Sequence, residues 1–267
     1  CELLGIESDG VSRWRGMLDR LPDYQINDDG AMCEWLHPAF KDNYHHRHQS
    51  HLYPVFPGLE VTDQTHPELF EACRVAVEKR LVIGLTSQTG WSMAHMANIY
   101  ARLGEGDRAL ACLEILARAS TGPNLLTYVN DWRAMGLSSY RGTHPPFQID
   151  ANFGFAAAVL EMLVFSKPGI VKLLPAVPSK WQRGRVTGIA CRGGITVDVQ
   201  WDRERGALSA RLVSRIDQQI RLHLPAFVES VNIAATNCAH HRPTPQQPYW
   251  QIDLTADEPI ELTAGRG

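Results

Sequence analysis

The sequence has no apolar run approaching the roughly 20 residues that a membrane-crossing helix needs. Its best candidate, Ala156 to Phe165, is too short and contains Glu161, so no membrane partner is expected. A basic field is missing as well. Lys and Arg number 26 against 29 Asp and Glu, the net charge is −3, the pI is near 6.4 and the cations are scattered. That argues against a nucleic-acid partner. Cysteine is sparse, at positions 1, 33, 73, 112, 191 and 238, without a C-x-x-C pair or a dense framework, and buried thiols are the default reading. There is no Gly-rich phosphate loop, no G-x-S-x-G elbow and no Cys/His nucleophile pattern. What remains is a globular composition of 44% hydrophobic and 21% charged residues, with 267 residues to build one large or two ordinary domains. The chain begins with Cys1 and enters helix-like sequence almost at once, so it is expected to be a piece of a longer polypeptide.

Helical spacing dominates the first part. Apolar residues at i, i+3, i+4, i+7 and i+8 recur from Leu69, Met93, Ala109 and Phe155. Gly84, Gly104 and Gly122-Pro123 punctuate the first three segments, and Asp107 is the expected N-cap of the third. A further helix is expected over Val11 to Leu21, ahead of Pro22. After Pro168-Gly169 the period falls to two, in Ile195/Val197/Val199/Trp201, Leu208/Ala210/Leu212, Ile220/Leu222/Leu224, Ile252/Leu254 and Ile260/Leu262. Residues 236–248, with Pro243, Pro245 and Pro248, read as a loop. The pattern is a helical region followed by a short all-β module.

Two long polar stretches, 23–66 and 121–154, interrupt the helices. Loops of that length are uncommon in compact domains unless they are functional. They carry Glu34-Trp35, the cluster His45-His46-Arg47-His48-Gln49-Ser50-His51, Trp132, His144 and Asp150. The cluster lacks the helical spacing and companion carboxylates of a metal site, so neither a metal nor a cofactor is expected. Hydrogen bonding to hydroxyls suits it better, with Arg47 as a planar fork and His48 as a donor-acceptor pair. Glu34-Trp35 combines a carboxylate with an indole, which suits a sugar site; the alternative is that Trp35 is simply core. Trp91, His95, Asn98 and Arg102 share one helix face, directed either at a cavity or at solvent. Pro145 to Gly154 puts Asp150, flanked by Gln148 and Asn152, near a helix mouth, where it either caps the helix or accepts protons. Glu34 and Asp150 together invite the acid-plus-base scheme of an inverting glycosidase.

Glu34-Trp35, His46 to Tyr53, Gly90-Trp91-Ser92, Ala101 to Gly104, His144 to Gly154, and Leu173 to Ala176 followed by Trp181 occur in that order. Together they resemble glycoside hydrolase family 95, the inverting α-L-fucosidases that also include α-L-galactosidases, over Leu3 to Trp201. The resemblance implies a partial (α/α)6 helical toroid over residues 1–166 and a small antiparallel β-sandwich over 167–267. It implies that Asp150 lies on the base side, helping a water attack the anomeric carbon. The asparagine pair that holds this water and the proton-donating glutamate, in a Ser-Pro-Glu stretch, are implied upstream of Cys1, so Glu34 does not inherit the acid role. Arg47 and His48 match the family's Arg-His pair that contacts sugar. Glu34, Trp35, His51, Trp91 and Asn152 complete the expected substrate side. Ala151 stands where the family has glycine, which matters if the backbone there needs a positive φ, and residues 127–143 look longer than usual.

The resulting expectation is a glycosidase fragment, inactive alone, whose parent removes a terminal L-fucose-like sugar from a glycan. Self-association of the isolated chain is expected where helices lack their neighbours. The rival readings are a polysaccharide lyase on a similar toroid and a non-catalytic carbohydrate-binding or structural module.

Overall fold

The computed structural model describes residues 1, 4–137, 145–228, 230–234, 240–241, 243–244 and 248–265. Leu3, His144, Pro245 and Cys238 lie outside them, as do residues 138–143 of the long stretch. Among the described residues, five α-helices and a short 3-10 helix (Ser50–Leu52) precede ten strands. The helices are α1 (Ser8–Leu18), α2 (Pro67–Val82), α3 (Gly90–Arg102), α4 (Gly106–Ala119) and α5 (Ile149–Leu163).

Each helix starts for a local reason. Pro67 opens α2 where its missing N–H costs nothing. Thr89 and Ser92 form a reciprocal cap on α3, the Thr89 N–H donating to Ser92 Oγ at 2.7 Å and the Ser92 N–H to Thr89 Oγ1 at 3.4 Å. Helix α4 begins at Gly106, one residue before the expected cap, because a Cβ there would lie 2.1 Å from the Ala176 carbonyl oxygen. Asp107 accepts instead from Ser179 N and Oγ at 2.7 and 2.9 Å, tying α4 to the chain beyond the helices. Helix α3 is the centre of the bundle. It packs against α2, α4 and α5, and every residue from Ser92 to Ala101 is buried. The expected alternative of a solvent-facing His95 and Asn98 is therefore corrected. Helix α1 buries nothing, starts at Ser8 rather than Val11 and ends at Leu18 rather than Leu21. Cys73 and Cys112 are buried as expected, whereas Cys1 is exposed and Cys33 and Cys191 are half-buried.

The helix expected to reach Phe165 ends at Leu163, because Val164 and Phe165 pair as a strand with Leu173 and Lys172. A β-branched and an aromatic residue fit that pleated, half-buried surface better. The strands are β1 (Val164–Lys167), β2 (Ile170–Leu173), β3 (Arg183–Cys191), β4 (Ile195–Asp202), β5 (Ala207–Ser214), β6 (Gln218–His223), β7 (Ser230–Ala234), β8 (His240–His241), β9 (Trp250–Leu254) and β10 (Pro259–Gly265). They form two five-stranded sheets, ordered β1-β2-β6-β9-β8 and β3-β4-β5-β10-β7. Pairing is antiparallel except between β2 and β6. The β4 alternation emerges as read, with Ile195, Val197, Val199 and Trp201 all buried. One apolar core draws Val171, Leu222 and Ile252 from the first sheet and Val197, Leu212 and Leu262 from the second. The region expected to be all loop contains β8, which pairs with β9.

Candidate functional site

The His48 segment is clamped from below. Leu52, Pro54 and Val55 are buried under it, while Gln49 is buried and Tyr53 exposed beside them. Above it, a cavity of about 420 Å³ is lined by His48, Gln49, Ser50, Tyr53, Phe56, Pro57, Trp91 and His95. Trp91 stacks on His95, with ring centroids 5.3 Å apart and planes 16° apart, so the two present one flat wall. His95 is four residues beyond Trp91, the spacing that lets side chains on one helix face meet. Its Nε2 lies 3.5 Å from the Phe56 carbonyl oxygen. Burial lowers the pKa of His95, partly offset by that carbonyl. The His48 pKa is lowered by burial and then by the neighbouring Arg47 and His46. Both shifts favour neutral imidazoles at pH 7, each a donor-acceptor pair able to meet sugar hydroxyls.

Helix α5 meets this wall at its N-terminus. Gln148 Oε1 accepts from the Trp91 N–H at 2.7 Å, and a Cβ on Gly154 would sit 2.9 Å from the Trp91 ring. Glycine there lets α5 close on α3. Asp150 is one turn before Gly154, hence on the same helix side. It occupies the first turn of α5, inside the helix instead of at the cap position, which Gln148 holds. Its carboxylate is exposed and, among the described residues, accepts only the adjacent Ala151 N–H, at 2.9 Å. Ala151 is buried within the helix and absent from the positive-φ residues, so alanine meets no backbone strain there. Asn152 is a clamp. Its Oδ1 accepts from Thr127 N and Oγ1 at 2.9 and 2.8 Å, and its Nδ2 donates to the Leu125 carbonyl.

Glu34 lies elsewhere. Its Oε1 accepts from Arg80 Nη2 at 2.6 Å and its Oε2 from the Asn43 N–H at 2.7 Å. Trp35 is 54% exposed, against Phe40, so the reading of Trp35 as core is corrected. His51 sits half-buried beneath the loop, its Nε2 without a partner and its pKa pulled down to about 3 by burial, then by Arg80 and His95. Arg47 is exposed and does not line the cavity. The structure thus gathers His48 and Trp91 around one cavity, whereas Asp150, Asn152, Glu34, Trp35 and His51 are not among its lining residues. Gln49, Tyr53 and His95 are wall residues that sequence reasoning left out of the site; the four-residue step from Trp91 was the available signal for His95. No group of three or more metal-ligating side chains is found among the described residues, and no helix among them is long and apolar enough to cross a membrane.

The glycosyl hydrolase family 95 catalytic domain matches residues 1–163, and the glycoside hydrolase family 95 C-terminal domain matches residues 165–259. Alpha-L-fucosidase 2 of Arabidopsis thaliana is 41% identical over 184 residues, covering 68% of this chain and 21% of the plant protein. Probable alpha-fucosidase A of Aspergillus oryzae is 31% identical over 228 residues, covering 76% of this chain and 30% of the fungal protein. The chain therefore spans less than a third of the length of either relative. With both of its parts matched, the chain belongs to glycoside hydrolase family 95.

Proposed function

We propose that the polypeptide to which this chain belongs is an inverting exo-glycosidase that removes a terminal α-L-fucosyl or α-L-galactosyl residue from a glycan. The observation that carries the reading is the double family match together with relatives named as fucosidases. On this reading residues 1–166 are the C-terminal part of an (α/α)6 toroid and residues 167–267 a β-sandwich. The buried central α3 and the core shared by two sheets support that finer description.

In the proposed mechanism Asp150 helps remove a proton from the water that attacks the anomeric carbon, while an upstream glutamate protonates the leaving oxygen. An inverting pair needs about 6.5–9.5 Å between carboxyl groups to admit that water. Glu34 does not serve as the acid, since Arg80 and the Asn43 N–H hold both its oxygens. His48 and Arg47 bind sugar hydroxyls, Trp91 offers its face to a sugar ring, and His51 backs the His48 loop from beneath. Glu34 and Asn152 contribute by holding the two loops in place. Self-association is the companion proposal for the isolated chain, supported by Ile149, Phe153 and Leu160, apolar residues exposed along α5.

The test is the product anomer. Proton NMR of the full-length polypeptide acting on an aryl α-L-fucoside should show β-L-fucose first. First release of the α anomer, or an unsaturated ultraviolet-absorbing product from a uronate polymer, would overturn the proposal. A second measurement addresses the cavity. In calorimetry of the 267-residue chain with L-fucose, His48→Ala should weaken binding roughly tenfold, the effect of a hydrogen bond or two. An unchanged titration would remove His48 from the sugar site.

A further inference from the structure

Between the helices and the sheets lies a second cavity, of about 820 Å³, which shares no lining residue with the His48–Trp91 cavity. Its walls carry Arg74, Arg102, Lys172 and Arg203, with Asp63 the one carboxylate among the lining residues. Three of the four cations are matched. Arg74 pairs with Glu71 and Glu105, Arg102 pairs with Glu161 through two nitrogens at 2.5 and 2.9 Å, and Lys172 reaches Asp63 at 3.3 Å. Arg203 is not. One of its nitrogens, Nη1, donates to the Val177 and Pro178 carbonyls at 3.4 and 3.1 Å, and the guanidinium lies 5.7 Å from the Phe227 ring. It pairs with no carboxylate among the described residues.

Phe227 stands four residues beyond His223, which lines the same cavity. The His223 ring packs on Tyr249, and its Nε2 is buried without a partner among the described residues. Burial lowers its pKa to about 4, so the ring is neutral at pH 7. A buried ring nitrogen without a partner calls for a group to complete it. A guanidinium fork lining the same cavity, unmatched among the described residues, says what sign that group carries, and forks of this kind recognise carboxylate and phosphate through paired N–H donors. The volume falls in the range of small-molecule sites, and the Phe70, Leu224, Pro225 and Phe227 side chains offer apolar contact to a ligand body.

We propose that this cavity is a binding site for a small polar anion of monosaccharide size, whose single oxyanion is held by Arg203 and whose neighbouring hydroxyl meets His223 Nε2. Its chemistry admits either a sugar carboxylate or a sugar phosphate. Neutral sugar would leave the guanidinium unmatched and bind weakly.

Titration calorimetry of the 267-residue chain at pH 7 and low salt tests this with D-galacturonate, D-galactose 6-phosphate and D-galactose. At least one of the two anions should bind roughly tenfold or more tightly than galactose, and which one does so identifies the oxyanion. Arg203→Gln should reduce that affinity about tenfold, while Arg203→Lys, which keeps the charge and loses the fork, should fall between. Because Arg203 also holds two carbonyls, His223→Gln is the second variant. It should weaken the same anion several-fold and leave the L-fucose titration unchanged. Equal affinity for all three probes, no detectable anion binding, or an anion titration that the His223 variant leaves unaltered would overturn the proposal.

Discussion

Asp150→Asn in the full-length polypeptide should lower kcat on an aryl α-L-fucoside by about 10²–10⁴, the contribution of a positioned general base. It should leave the fold intact. The side chain is exposed and its one hydrogen bond among the described residues is with the adjacent Ala151 N–H, which an asparagine Oδ1 can still meet. Loss of the first-turn carboxylate at the positive end of α5 costs about 0.3–1 kcal/mol. Catalysis and stability therefore separate at this position. They do not separate two residues later, where Asn152 holds Leu125 and Thr127 and its loss would disturb both. A full-length Asp150→Asn enzyme with the parent's kcat would remove Asp150 from the mechanism, whereas cleavage by the isolated 267-residue chain that this substitution abolishes would overturn the placement of the acid outside that chain.

The largest stability effect should come from Glu34→Ala, at about 3–5 kcal/mol, because it strands a buried guanidinium. Arg80 has 0% side-chain exposure and Glu34 9%, with 2.6 Å between Nη2 and Oε1. Burial lowers the Arg80 pKa, and Glu34 opposes that shift. Without the carboxylate, the guanidinium keeps the Ala76 carbonyl at 3.2 Å, the Tyr44 ring at 5.7 Å and the weaker attraction of Asp42. The loop before His48 would lose one anchor as well, since Glu34 Oε2 also accepts from the Asn43 N–H, while the backbone N–H of residue 34 keeps its bond to Asp42 Oδ1 at 2.7 Å. In thermal melts of the chain this corresponds to a fall in Tm on the order of 10 °C. The double variant Glu34→Leu/Arg80→Met should recover much of it, since an apolar pair has no charge to desolvate. A single variant that melts with the parent would show that the pair carries no net stability.

That ion pair was invisible in the sequence. Glu34 and Arg80 stand 46 positions apart, one in a loop and one on the buried side of α2. An arginine in the last turn of a helix reads as solvent-facing until tertiary structure says otherwise. The positions of α2 to α5 were legible because their apolar residues repeat at helical spacing, and β4, β5 and β6 because theirs alternate. Strand β3 escaped for the opposite reason. Its Arg183, Gly184, Arg185 and Gly188 break the alternation, the register shifts between Val186 and Ile189, and Gly184 is small because the Trp201 ring occupies the space of a side chain. At the site, the His48 cluster and Asp150 announced themselves as polar groups in long loops. The Trp91–His95 wall needed the knowledge that α3 is buried on every side, which periodicity alone does not give.

The order of strands in the two sheets has a kinetic consequence. β3, β4 and β5 are consecutive and pair with their neighbours, so half of one sheet can form from local contacts. The other sheet has only its β1–β2 hairpin from such neighbours before β6 arrives. Ile170 to Lys172 of β2 must wait for Arg221 to His223 of β6, which arrive only after that three-stranded meander has been made. Distant pairings form late because the chain loses the entropy of closing the intervening loop before the contact repays it. During synthesis, the edge of β2 that β6 later covers therefore stays open while the meander forms, and this interval is when the chain is most exposed to pairing with another copy of itself.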